Sequence, residues 1–232
     1  CLPAVQTLAA AAVMAQTRNA AYPRSMTLMA GPVDCRVSPT SVNKLATSKP
    51  IEWFEKNLIA TVPARHAGAG RRVYPGFMQV SAFLSMNAKR HMQQHADLFW
   101  HIANGEIDKA EAIETFYDEY FAVLDLDAAF YIETVKTVFQ DYTLAKNELT
   151  FRGEPLDMRS VRRTALMTVE GERDDICAVG QTMAAHDLCT DLAPHMKSHH
   201  LQVGVGHYGV FSGRKWENQA YPQVRNFIQS HN

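Results

Sequence analysis

Four cysteines in 232 residues, Cys1, Cys35, Cys177 and Cys189, make no CxxC pair and no dense framework. That excludes a disulfide-stapled scaffold and suits thiols kept reduced in a cytosol. Charge is also scarce in either direction. The formal net charge is -1, so there is no basic stripe for nucleic acid and no polybasic run for an anionic membrane surface. No apolar stretch approaches the ~20 residues of a membrane span. The ten histidines invite a search for metal ligands. However, His91/His95 and His199/His200 lack cysteine or carboxylate company, and HExxH is absent, so neither a metal nor another cofactor is expected. What remains is 47% hydrophobic and 20% charged, the balance of a folded chain with one substantial core or a core with an inserted subdomain.

The most informative stretch is the last third. Thr164-Ala-Leu-Met-Thr-Val-Glu-Gly is an apolar run ending in a glycine, with Asp174 and Asp175 just beyond it. About thirty residues later comes Gly206-His207-Tyr208-Gly209. An acid after one strand and a histidine in the loop after the next is the order of the last two members of a nucleophile–His–acid triad in an α/β-hydrolase. The nucleophile must then lie upstream, and the residue placed to supply it is Cys1.

Taken in order, Leu2, Val5, Leu8, Ala9, Ala12 and Val13 recur at helical spacing behind Cys1. A cysteine at the amino terminus of such a helix is favoured as thiolate, and the N–H of Leu2 is placed to meet an oxyanion. Met26 to Met29 reads as a buried strand ending in a Gly-Pro turn. Ser38 or Thr40 can cap a short helix through Leu45, and Ile51 to Ile59 gives another. Pro63 to Gly76 reads as a loop. From Phe77 to Tyr142 the pattern is almost wholly helical, strongest at Ile113, Phe116, Tyr117, Tyr120, Phe121 and Leu124. Glu148 to Arg159 suggests a hairpin turning at Arg152-Gly153, and Thr164 to Val169 the next strand. A helix is expected over Gln181–Leu188, a last strand over Leu201–Val205 and a closing helix over Asn218–His231.

These elements predict an α/β fold, the carboxyl-terminal part of an α/β-hydrolase with a helical cap insertion. The expected division is 1–50 for the elbow, helix and following strand, 51–147 for the cap, and 148–232 for the strands carrying acid and histidine. The chain is read as the later part of a longer protein. The candidate site is Cys1 as nucleophile, His207 as base, Asp174 as acid and Leu2 as oxyanion donor. Asp174 and Asp175 are adjacent, so only one can face His207, and either can instead cap the following helix. The residues alone also allow Cys1 to mark merely where the sequence starts, and the aromatics of the helical block to be core.

The segments CLPAVQTLAAA, MTLMAGPVDCRVSPTSVNKLA, GAGRRVYPGFMQ, FYDEYFAVLD, TALMTVEGERDDI, AAHDLC and GHYGVFSGRKW resemble the carboxyl-terminal domain of intracellular poly(3-hydroxybutyrate) depolymerases, relatives of the polyhydroxyalkanoate synthases. The resemblance implies a cysteine nucleophile at a strand-to-helix elbow, matched by Cys1, with Asp174 and His207 as acid and base. It implies polyester hydrolysis through a thioester and a cytoplasmic protein on polymer granules, with the granule surface as partner; a homo-oligomer is compatible with it. The upstream half of the sheet and one oxyanion donor lie outside the chain. A synthase-like acyltransfer, an amino-terminal nucleophile using its own amine as base, and a non-catalytic granule-associated domain are the competing readings.

Overall fold

The computed structural model describes residues 3–231; Cys1 and Leu2 lie outside them. It divides into two compact units, one built from residues up to Lys49 together with Thr134 onward, the other from Pro50–Glu133.

The first unit is organised on a three-stranded parallel sheet in the order Ser25–Met29, Ala165–Gly171, Lys197–Gln202. Every residue of the central strand is buried, as a parallel strand covered on both faces must be. Its side chains alternate between two cores. Leu166 joins Leu8, Ala12, Leu28, Met158 and Val161 on one face. Ala165, Met167 and Val169 join Val210, Val224 and Phe227 on the other. The first core is closed by the Pro3–Gln16 helix, which buries Ala4, Val5, Leu8, Ala11 and Ala12. Its alanines let the backbone approach the sheet closely, and Leu8 alone contributes about 1.5–3 kcal/mol of transfer free energy. The second core is closed by the Tyr221–Ser230 helix through Val224 and Phe227.

The expected strand at residues 26–29 is present, and Thr40 caps the Ser41–Thr47 helix by accepting from the Asn43 N–H. The hairpin Thr150–Phe151/Glu154–Pro155 turns through Arg152 and Gly153, both at positive φ, the twist a two-residue hairpin prefers.

Four expectations need correction. The last strand runs over Lys197–Gln202, not Leu201–Val205. Its polar sequence hid it: His199 lies opposite Thr168 in the sheet. The helix expected from Gln181 begins only at Ala185, because the N–H groups of Gly180, Thr182 and Met183 point at the Glu170 carboxylate instead of a helical carbonyl. The closing helix is entered by a π-turn over Trp216–Ala220; Pro222 at its start has no N–H to give. Residues 63–76 include a strand, Arg72–Tyr74.

The second unit contains that strand between Ala60–Thr61 and Leu126–Asp127 in a small antiparallel sheet. Its main helices are Gly76–Met86, Ala88–Ala103 and Ile107–Phe121. Tyr117 and Tyr120 of the last are buried against His91, whose Nδ1 lies 2.8 Å from the Tyr117 hydroxyl. Asp125 accepts from the Gly76 N–H and closes the unit on itself.

A polar row crosses the first core. Thr168 Oγ1 lies 2.8 Å from His186 Nε2 and 2.9 Å from His199 Nδ1. Burial pushes both imidazoles below their ordinary pKa. The Lys197 and His199 charges act in the same direction on His186, against Asp187; on His199 the Glu170 carboxylate opposes the shift and His200 adds to it. The folded protein therefore holds both rings neutral where the unfolded chain already takes up protons. Their contribution to stability is complete above a pH of about 6.5 and is lost as pH falls through the lower folded values. Thermal unfolding followed from neutral to mildly acidic pH should show Tm falling, with a shallower fall in His186→Gln/His199→Gln. An unchanged slope in that double variant would show that other groups set the acid limit.

Candidate active site

The carboxyl ends of the central and last strands lie side by side, and one loop leaves from each. In open parallel sheets this edge is where ligands and reacting groups collect. Gly171 ends the central strand. A Cβ there would lie 3.0 Å from the Val205 carbonyl oxygen and 3.2 Å from that of Gly206. The missing side chain is what lets the loop carrying His207 cross the strand end. The two loops are then joined: the Glu172 N–H donates to the Gln202 carbonyl, the Arg173 N–H to the Val205 carbonyl, and the Gly204 N–H to the Glu172 carboxylate.

This stitching brings Asp174 and His207 together. His207 Nδ1 lies 2.7 Å from Asp174 Oδ2, with the carboxylate wholly buried and the imidazole 9% exposed. Asp174 Oδ1 accepts from the N–H groups of Ile176 and Cys177 at 2.9 and 2.8 Å. The two roles that the sequence divided between neighbouring aspartates are thus both filled by Asp174: one oxygen caps the turn and the other holds the histidine. With all of its near donors fixed, the carboxylate fixes the tautomer in turn. The proton sits on His207 Nδ1, so Nε2 carries the lone pair.

His207 opens a short 3-10 turn, His207–Val210. The ring is flanked by Tyr208 and Phe211, with centroids 5.8 and 5.9 Å away. Gly209 is there for packing, because a Cβ would lie 2.5 Å from Val205 Cβ. Gly209→Ala should therefore cost about 1–3 kcal/mol through overpacking, read as a lower urea midpoint at unchanged slope. A midpoint equal to the native one would mean that the turn moves freely.

The other two predicted site residues, Cys1 and Leu2, lie outside the described residues. The helix that follows them in sequence begins at Pro3 and packs beside the first strand of the same sheet. Cys35, Cys177 and Cys189 are free and buried. Burial pushes the Cys35 thiol up to about 12 and that of Cys189 to about 11, and Cys177 higher still. Such thiols are poor nucleophiles at neutral pH.

Sequence reading missed Glu170. The strand expected over Thr164–Val169 stops one residue short of it, while the observed strand runs on to Gly171; a carboxylate at the end of such an apolar run is itself a signal, since a buried acid must be matched by donors.

The family model for the poly(3-hydroxybutyrate) (PHB) depolymerase carboxyl terminus matches residues 30–232. The chain belongs to that family. No curated protein matches the sequence. The match begins just after the first strand and runs through the acid loop and the histidine turn, so the Asp174–His207 pair falls inside the region that defines the PHB depolymerase carboxyl terminus. Among the described residues, no helix is long and apolar enough to cross a membrane.

Proposed function

We infer that this protein hydrolyses the ester bonds of poly(3-hydroxybutyrate) through Cys1, His207 and Asp174. The observation that carries the reading is the buried 2.7 Å Asp174–His207 pair at the carboxyl edge of a parallel sheet, in a chain of the PHB depolymerase family. The sheet is read as the later half of an α/β-hydrolase sheet, with Cys1 at the strand-to-helix elbow.

In this scheme His207 Nε2 takes the proton of the Cys1 thiol, and the thiolate attacks the ester carbonyl. The negative charge moves to the carbonyl oxygen, where the Leu2 N–H and the adjoining helix terminus offset it. Collapse breaks the C–O bond, and His207 returns the proton to the departing 3-hydroxyl group. A 3-hydroxyacyl thioester remains on Cys1. Water, deprotonated by the same nitrogen, attacks it and releases the carboxylic acid and the thiol. Asp174 holds the imidazolium formed in each half.

Such a substrate is an apolar solid, and the Pro50–Glu133 unit exposes Phe77, Phe99, Trp100 and Leu124, apolar surface suited to it. A cytoplasmic location on polymer granules follows from the same reading. Acid release from amorphous polymer granules tests it, with native protein beside Cys1→Ala and His207→Ala. Release by the native protein alone is expected. Release by all three would remove the thiol mechanism, and consumption of an acyl-CoA with no acid released would replace hydrolysis by acyl transfer.

A further inference from the structure

Glu170 is fully buried at the end of the central strand, on the face that carries Leu166 and Thr168. Its Oε1 accepts from the N–H groups of Thr182 and Met183 at 2.7 and 2.9 Å. Its Oε2 accepts from the Gly180 N–H at 2.9 Å, with His199 Nε2 at 3.9 Å. Three backbone donors converge on one side chain. A carboxylate, with two oxygens and no hydrogen to offer, satisfies all of them; an amide cannot.

The segment supplying these donors is the far end of the loop that leaves the strand at Gly171 and carries Asp174. Within that loop, Asp174 Oδ1 binds the Ile176 and Cys177 N–H groups, and Cys177 Sγ lies 3.7 Å from Thr182 Oγ1. Thr182 Oγ1 also donates to the Gly31 carbonyl and accepts from the Gly31 N–H, tying the loop to the end of the first strand. The loop thus departs from residue 171 and is returned to residue 170.

We propose that Glu170 is a positioning residue for the acid. It closes the 171–183 loop on the strand end and so fixes the direction from which Asp174 meets His207. It touches neither of the reacting groups and acts only through the loop. The proposal rests on the triad reading above.

The test compares Glu170→Gln and Glu170→Asp with the native protein on a soluble 3-hydroxybutyrate ester. Gln places an NH2 against one of the backbone donors; Asp keeps the charge but loses a methylene of reach. In Glu170→Gln, kcat should fall about 10–100-fold with KM within about twofold. Glu170→Asp should fall between. Amides of Cys177, Gly180, Thr182 and Met183 should exchange faster in both variants, while those of the central strand do not. Thr168→Val serves as control, since it cuts His186 and His199 from the same strand face without touching the loop; it should lose stability but keep the native rate. A native kcat in Glu170→Gln, or a loss no larger than that in Thr168→Val, would overturn the proposal. If Glu170→Gln does not fold, Glu170→Asp decides, and native rate with unchanged loop exchange there would overturn it equally. Native turnover in Asp174→Asn would instead bring down the triad reading, while faster loop exchange in the Glu170 variants would still support Glu170 as the loop anchor.

Discussion

Asp174→Asn should lower ester hydrolysis by about 10⁴-fold while leaving the chain folded. Asparagine has the same shape, and its oxygen is drawn to the Ile176 and Cys177 N–H groups that Oδ1 now satisfies. The side-chain NH2 is then turned toward His207 Nδ1, where the carboxylate Oδ2 stands in the native protein. Two donors cannot share that contact. The imidazole relieves the conflict by moving its proton to Nε2, and the nitrogen needed as base loses its lone pair. Stability should change far less than rate, because the turn keeps its acceptor. Turnover numbers and thermal unfolding on the same preparation check both halves. A variant that keeps a tenth of the native rate would show that Asp174 is a turn cap alone.

The second large effect concerns the thiols. One equivalent of iodoacetamide at neutral pH should label Cys1 and abolish activity. The other three cysteines are shielded twice, by burial that blocks access and by the resulting rise in thiol pKa. A thiol at about 11 has roughly 10⁻⁴ of its population ionised at pH 7. Cys35, Cys177 and Cys189 should therefore react only after unfolding, and Cys1→Ser should leave no fast thiol. Peptide mapping of the labelled protein distinguishes the sites. Labelling of Cys35 or Cys177 in folded protein, or full activity after Cys1 is capped, would contradict the account.

How much of this was legible beforehand depended on where each signal lies. The Ser25–Met29 strand, the Thr40 cap and the Arg152-Gly153 turn follow from apolar runs, a capping residue and a Gly at positive φ, all of them local. The acid and histidine loops were legible because Gly171 and His207 punctuate apolar runs at hydrolase spacing, and the structure brings Asp174 and His207 into contact. The Lys197–Gln202 strand was not legible, since its polar side chains are matched across the sheet by Thr168 and Glu170, which no window along the chain reveals. The late start of the Ala185–Leu188 helix has the same origin. Donors that helical periodicity would have spent within the segment are taken by Glu170, ten or more residues upstream. The double use of Asp174, as turn cap and as partner of His207, also needed three dimensions, because sequence treats the two as alternatives.

On this account a thiol at Cys1 carries the acyl group, His207 moves the proton and Asp174 holds the imidazole. Acid quenching during turnover of a 3-hydroxybutyrate oligomer, followed by peptide mapping, tests it most directly. The account predicts a 3-hydroxyacyl group on the peptide containing Cys1, released by hydroxylamine and absent in His207→Ala. Continued acid release with the acyl group on a serine, or with Cys1→Ala as active as the native protein, would contradict it.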